Sequence, residues 1–232
     1  AHIMIGHTHY PQNWIHSTYK TKGGNPIYEH VHGAACGAWW SCNMNTNGAP
    51  NGYSLYEIEG NSMKNWVAKG TKNTYDYQMR VYDGNQIYGG TDGNPTGKYR
   101  YTWYGGGVGG SANIEARGNS SLKGSFVAAV WNDDDLNWKV EFFQNGVKVG
   151  DMKRVSSKIP DICVVSYFFN NLNKNTTTWT TTTAQHYWYI EAPSGDPTKE
   201  KNWEVRATQT IPGSGEVNVY SCTSLQTDYT GF

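Results

Sequence analysis

The chain has 232 residues, room for one large domain or two smaller ones at the usual ~100 to 200 residues each. Nineteen Lys plus Arg balance nineteen Asp plus Glu, so no net field recruits nucleic acid or an anionic membrane. Aromatics at 14%, 27 glycines and only 16% charged residues favour sheets joined by many turns.

No apolar run approaches the ~20 residues that span a bilayer, and Ala1-His2-Ile3-Met4-Ile5 lacks the basic flank and long apolar core of a signal peptide. A start without Met, inside what reads as a strand, predicts further residues upstream. Cys36, Cys42, Cys163 and Cys222 are too scattered for a disulfide scaffold, although Cys36 and Cys42 could close a small loop.

In chain order, residues 1–50 read as irregular and hold six of the seven histidines; the composition changes near Asn51-Gly52. Residues 53–59 and 62–69 flank Gly60-Asn61, and residues 139–143 and 147–153 flank Asn145-Gly146, which predicts two hairpins. Further strands are expected at 76–82, 125–131, 163–169, 187–191, 203–209 and 216–222. No long window has a 3.6-residue apolar period, so the expectation is an all-β chain with an antiparallel β-sandwich from about residue 51. Residues 89–121, rich in Gly and Asn, read as a long loop carrying one extra strand around Tyr99 to Tyr104. The Thr-dominated stretch 173–183 reads as an edge strand or an exposed loop.

Gly6-His7-Thr8-His9 comes directly after the apolar stretch Ile3 to Ile5. In an extended segment residues i and i+2 point the same way, so two imidazoles can converge on one metal while Gly6 eases the turn beside them. The alternative is a pair of packed or surface histidines.

Ile5-Gly6-His7-Thr8-His9 resembles the final Gly-His-x-His signature of calcineurin-like metallophosphoesterases. Residues 26–40, beginning Pro26-Ile27-Tyr28-Glu29-His30, resemble the segment C-terminal to that signature in a bacterial branch of the family. Asn51-Gly52-Tyr53-Ser54-Leu55-Tyr56-Glu57-Ile58 resembles the entry to that branch's C-terminal domain. Similarity continues through Tyr77 to Tyr82, Val130-Trp131-Asn132, Trp138 to Glu141 and, weakly, His186-Tyr187-Trp188.

The resemblance implies that residues 1–50 are the terminal strands and loops of a metallophosphoesterase domain and that residues 51–232 are its C-terminal β-sandwich. It implies His7 as ligand of a second divalent metal and His9 as ligand of a first, with Mn, Zn or Fe as the metals of the intact enzyme. The family's Asp-x-His, Gly-Asp-x-x-Asp and Gly-Asn-His motifs lie upstream of Gly-His-x-His and are missing here. The expectation is therefore an inactive piece of a phosphate-ester hydrolase. Its partner would be an upstream catalytic domain and its substrate a phosphate ester, with the divalent metals expected in the intact enzyme rather than in this chain alone. The branch also implies export from a bacterial cytoplasm.

His30 and His32, with Tyr28, share one strand face and are secondary ligand candidates, alternatively packing histidines that donate to backbone carbonyls. Asp133-Asp134-Asp135 lacks the spacing and closing Glu of a calcium loop and reads as a solvated turn. Gly105 to Gly110 has no subsequent Lys-Ser or Lys-Thr and reads as a flexible loop. A rival function, carbohydrate or polymer binding by a β-sandwich, would stack ligands on Trp39, Trp40, Trp103, Trp179 or Trp188 if they face solvent; aromatics buried between sheets would oppose it.

Overall fold

A computed structural model describes residues 1–37, 42–87, 122–155, 159–167, 183–184 and 186–227. The expectations for 89–121, 173–182, Gly105 to Gly110, Trp39, Trp40, Trp103 and Trp179 lie outside the described residues.

The fold is all-β and centres on an antiparallel sandwich. One sheet contains β6 (Met79–Asp83), β7 (Ser125–Val130), β10 (Lys153–Arg154) and β13 (Tyr187–Glu191), in the order β10-β13-β7-β6. The facing sheet contains β8 (Trp138–Gln144), β9 (Val147–Asp151), β14 (Trp203–Thr210) and β15 (Val217–Cys222), in the order β15-β14-β8-β9. Alternation places Phe126, Ala128 and Val130 of β7 against Val140, Phe142, Val205 and Ala207 of the facing sheet. The Phe126 ring lies 4.7 Å from both the Phe142 and the Trp203 ring.

β7 is buried along its whole length because its other face is covered as well. There Val127 and Ala129 meet Tyr82, Tyr187, Cys163, Val164, Cys42 and Met44. The segment 42–50, which precedes the hairpin, thus packs beneath the sandwich. Buried Arg80 donates from Nη1 to the Gly48 carbonyl (2.6 Å), and its guanidinium sits 5.0 Å over Trp131.

Both expected hairpins are present. β4 (Gly52–Glu59) pairs with β5 (Ser62–Gly70) around Gly60, whose φ is 57°; β8 and β9 turn at Asn145 (φ 51°) and Gly146 (φ 77°), the positive pair that a type I′ turn requires. Strands expected at 76–82, 125–131, 187–191, 203–209 and 216–222 also form, within a few residues at their ends.

Two expectations are corrected. Residues 163–169 do not begin a strand: α2 (Ile162–Ser166) forms instead, whereas α1 is the single turn Gly84–Ile87. Asp161 caps α2, accepting from the amides of Cys163 (2.9 Å) and Val164 (3.3 Å). Its other carboxylate oxygen accepts from the hydroxyls of Tyr82 (2.9 Å) and Tyr187 (2.6 Å), so tertiary anchoring of the cap overrides the β preference of Val164.

Residues 1–50 are not irregular either. β1 (His2–Ile5), β2 (Gln12–Lys20) and β3 (Pro26–Val31) form a sheet in the order β1-β3-β2, β1 parallel and β2 antiparallel to β3. The β4–β5 hairpin joins this sheet to the sandwich. Trp66, fully buried, packs with Met63 and Ile211 on one side, and its ring meets His30 edge-on at 4.8 Å on the other.

Candidate functional site

β1 ends at Ile5, opposite Val31 of β3, so the Gly6-His7-Thr8-His9 turn leaves the carboxyl end of a parallel strand pair, the end where ligand sites gather in such sheets. The segment bends rather than staying extended. His7 has φ 85° and His9 φ 61°; Gly6 does not take the left-handed role. Two non-glycine residues in this sparsely populated region within three positions mark a strained turn, the kind of backbone found at ligand sites. Thr8 Oγ1 donates to the Tyr10 carbonyl (3.3 Å) within it, and buried Pro11 closes it onto β2.

His32 lies just past β3 at the same end; its amide donates to the Ile5 carbonyl (2.9 Å) and its Nε2 meets the Tyr56 hydroxyl (2.8 Å). His30 lies deeper. Its Nδ1 is 2.9 Å from Asn13 Oδ1, and its Nε2 is 2.9 Å from His2 Nδ1. Asn13 Nδ2 donates to the Asn132 carbonyl (2.7 Å), so Asn13 Oδ1 must accept; the proton therefore sits on His30 Nδ1, and Nε2 accepts from His2. Burial, reinforced by His2 and His32, pushes the His30 imidazole down to about 4. His30 and His32 thus bond side chains rather than backbone carbonyls. Among the described residues no three His, Cys, Asp or Glu side chains group closely enough to hold a metal ion. The turn carries two imidazoles, a donor type that suits Zn, Mn or Fe.

A small polar cleft adjoins the turn. Tyr10, Pro11, Asn13 and Trp14 line one side; Trp131, the three aspartates 133–135, Arg154, Asn47 and His186 line the other. The aspartates are not a solvated turn. Asp134 is buried and accepts from the amides of Leu136 (2.8 Å) and Asn137 (2.6 Å). Asp133 is buried, pairs with Arg154 (3.0 Å) and accepts from Trp188 Nε1 (2.7 Å), while Asp135 is open to solvent. Desolvation outweighs the Arg154 pairing and pushes the Asp133 carboxyl up to about 7. Burial, with Arg154 and Arg80 nearby, drives His186 down to about 3, so its ring is neutral.

Sequence reasoning missed His186, Asn47 and Arg154 as partners of this region. His186 was visible only as the edge of a weak similarity, and the cleft joins residues more than a hundred positions apart.

The sequence pattern described as the C terminal of calcineurin-like phosphoesterase matches residues 29–212. The chain belongs to that family. The match begins at Glu29, so His7 and His9 lie outside it, while the β4–β5 hairpin and most of the sandwich lie within it. No curated protein and no solved structure matches the chain. In this phosphoesterase C-terminal region Trp188 is committed to Asp133 and to Arg154, whose guanidinium sits 4.6 Å over its ring. Trp66, Trp131, Trp138 and Trp203 are buried, whereas Trp14, Tyr19, Tyr53 and Tyr75 are exposed; of the tryptophans expected to stack a ligand, only Trp188 lies among the described residues. All four cysteines are free thiols.

Proposed function

We propose that this chain is the C-terminal part of a two-metal phosphate-ester hydrolase. His7 and His9 complete a metal centre whose remaining ligands come from an upstream catalytic domain. Residues 51–232 form a structural cap beside the substrate entrance, and residues 1–50 are the last strands of the catalytic domain. Segment 42–50 locks the two parts together. The observation that carries this reading is the pair of left-handed histidines at the carboxyl end of β1, directly beside a cleft walled by the sandwich.

A second feature supports the upstream partner. Parallel strands are ordinarily covered on both faces, yet Ile3, Met4 and Ile5 of β1 are 46%, 40% and 38% exposed and Trp14 is 42% exposed. These side chains, with the free edge of β1, suit a seat for further strands of the catalytic sheet.

When bound, two divalent metals would polarise the phosphoryl oxygens and supply a hydroxide nucleophile. The chain's own part is to present two imidazoles on the turn after β1 and to wall the entrance. Alone it has too few ligands for turnover. Incubating the 232-residue chain with a chromogenic phosphate ester and Mn²⁺ should give no hydrolysis above buffer. Metal-dependent hydrolysis by the chain alone, abolished in a His7→Ala, His9→Ala variant, would refute the divided centre.

A further inference from the structure

We propose that the cleft beside the His7–His9 turn binds an uncharged, hydroxyl-rich moiety, a sugar or polyol carried on the alcohol side of the phosphate ester. The substrate role rests on the function proposed above; the binding chemistry does not.

Charge decides against a phosphoryl group in this cleft. Three aspartates and one guanidinium line the cleft; Asp133, raised to about 7, is partly neutral near pH 7, and Arg154 is already held by Asp133 (3.0 Å), Asp135 (3.5 Å) and the Asp134 carbonyl. An anion entering here would meet carboxylates whose counter-ion is engaged.

The buried wall asks for the opposite partner. Asn47 Oδ1 accepts from the Ala49 amide (3.2 Å) and its Nδ2 donates to the Pro11 carbonyl (3.1 Å), which fixes the orientation of that amide. The same Nδ2 lies 3.4 Å from His186 Nδ1, making Nδ1 the acceptor and leaving the ring proton on Nε2. His186 is 5% exposed and lines the cleft, and its Nε2 has no hydrogen-bond partner among the described residues. Trp131, 2% exposed and also lining the cleft, has an indole N–H in the same position. Two buried neutral donors therefore belong to residues that line the cleft, and at its rim stand the open carboxylate of Asp135 and the half-open indole of Trp14.

Each charged ligand satisfies only half of this set. An ammonium would pair with the aspartates and leave both N–H groups idle; a phosphate would accept from the N–H groups and be repelled by the aspartates. A hydroxyl donates and accepts, so adjacent hydroxyls serve the inner donors and the rim carboxylate together, while a sugar ring can lie on Trp14.

The test is a titration of the 232-residue chain with myo-inositol, glucose, choline chloride and inorganic phosphate in separate experiments, without metal. Tryptophan fluorescence and the His186 ring resonances report binding. The expected result is saturable binding of myo-inositol or glucose with a shift at His186, weakened about tenfold in Asp135→Asn, the scale of one hydrogen bond to a charged acceptor. Asp135 is exposed, so that variant leaves the fold intact; His186→Phe, which removes the inner donor, should weaken binding as well. Binding of phosphate or choline but not of the polyols, or of none of the four, overturns the proposal. Polyol binding unaffected by both substitutions overturns it too. No metal or turnover enters the assay, so its failure leaves the metal assignment standing, and failure of that assignment leaves this result intact.

Discussion

Replacing His186 with Phe makes the electrostatics of the buried cleft measurable. The ring is buried, lies tilted 5.1 Å from the Tyr187 ring and makes one long contact to Asn47, so a phenyl ring in its place should change stability by less than about 1 kcal/mol near pH 7. Acid separates the two proteins. In the unfolded chain the imidazole takes its proton near 6.5, whereas in the fold it holds out to about 3. A depressed folded value means that the unfolded state binds more protons across that window, so stability present above 6.5 is lost as pH falls toward 3. At about pH 5, some 1.5 units below the unfolded value and still above the folded one, the loss is about 2 kcal/mol at about 1.4 kcal/mol per unit. Asp133, raised to about 7, acts the other way, gaining stability as pH falls, and the Arg80 and Arg154 side chains stand near the ring. These groups are common to both proteins and drop out of the comparison to first order. Urea unfolding monitored by tryptophan fluorescence at about pH 7 and about pH 5 should therefore show His186→Phe gaining about 2 kcal/mol on the parent chain. A stability difference that does not move with pH would refute the reasoning, because His186 would then titrate alike in both states.

Two further perturbations test the packing that holds the cleft in place. A Cβ added at Gly48, where φ is +88°, would come within 2.2 Å of the Asp161 carboxyl carbon, and that carboxylate is pinned by Tyr82 and Tyr187. Gly48→Ala should thus cost more than about 2 kcal/mol in urea unfolding, and a loss under about 0.5 kcal/mol would show that the α2 cap can yield. A chain reduced to residues 51–232 loses Met44 and Cys42 from the cluster beneath β7 and the Gly48 carbonyl that receives Arg80. The expected loss is at least about 4 kcal/mol, enough to erase a cooperative transition in a marginal domain; a sharp, parent-like melt would show that the sandwich is self-sufficient.

What the sequence discloses is what neighbouring residues decide. Asn145-Gly146 and Gly60-Asn61 set their hairpins through local turn chemistry, and the alternating apolar residues of β8 and β14 announce a buried face. β2 was hidden because Gln12, Asn13, His16, Ser17 and Thr18 give it no apolar alternation; it is held by pairing with β3 and by the Asn13 bridge to Asn132. α2 was hidden because its cap depends on two tyrosine hydroxyls from distant strands. At the site, His7 and His9 stand out as a motif, but their left-handed backbone does not, since a histidine does not by itself announce a positive φ. The aspartate run misled for the same reason: Asp133 is engaged by Arg154 and Trp188, neither of them adjacent in the chain.

The central claim, that His7 and His9 belong to a shared metal centre, is tested most directly by metal content. The protein carrying an upstream catalytic domain in one chain with these residues should be purified in parent form and as His7→Ala, His9→Ala, and the bound Mn, Zn and Fe counted per chain. The account predicts about two metals in the parent, at most about one in the variant, and loss of phosphate-ester hydrolysis with the missing metal. Full metal occupancy in the variant would contradict it.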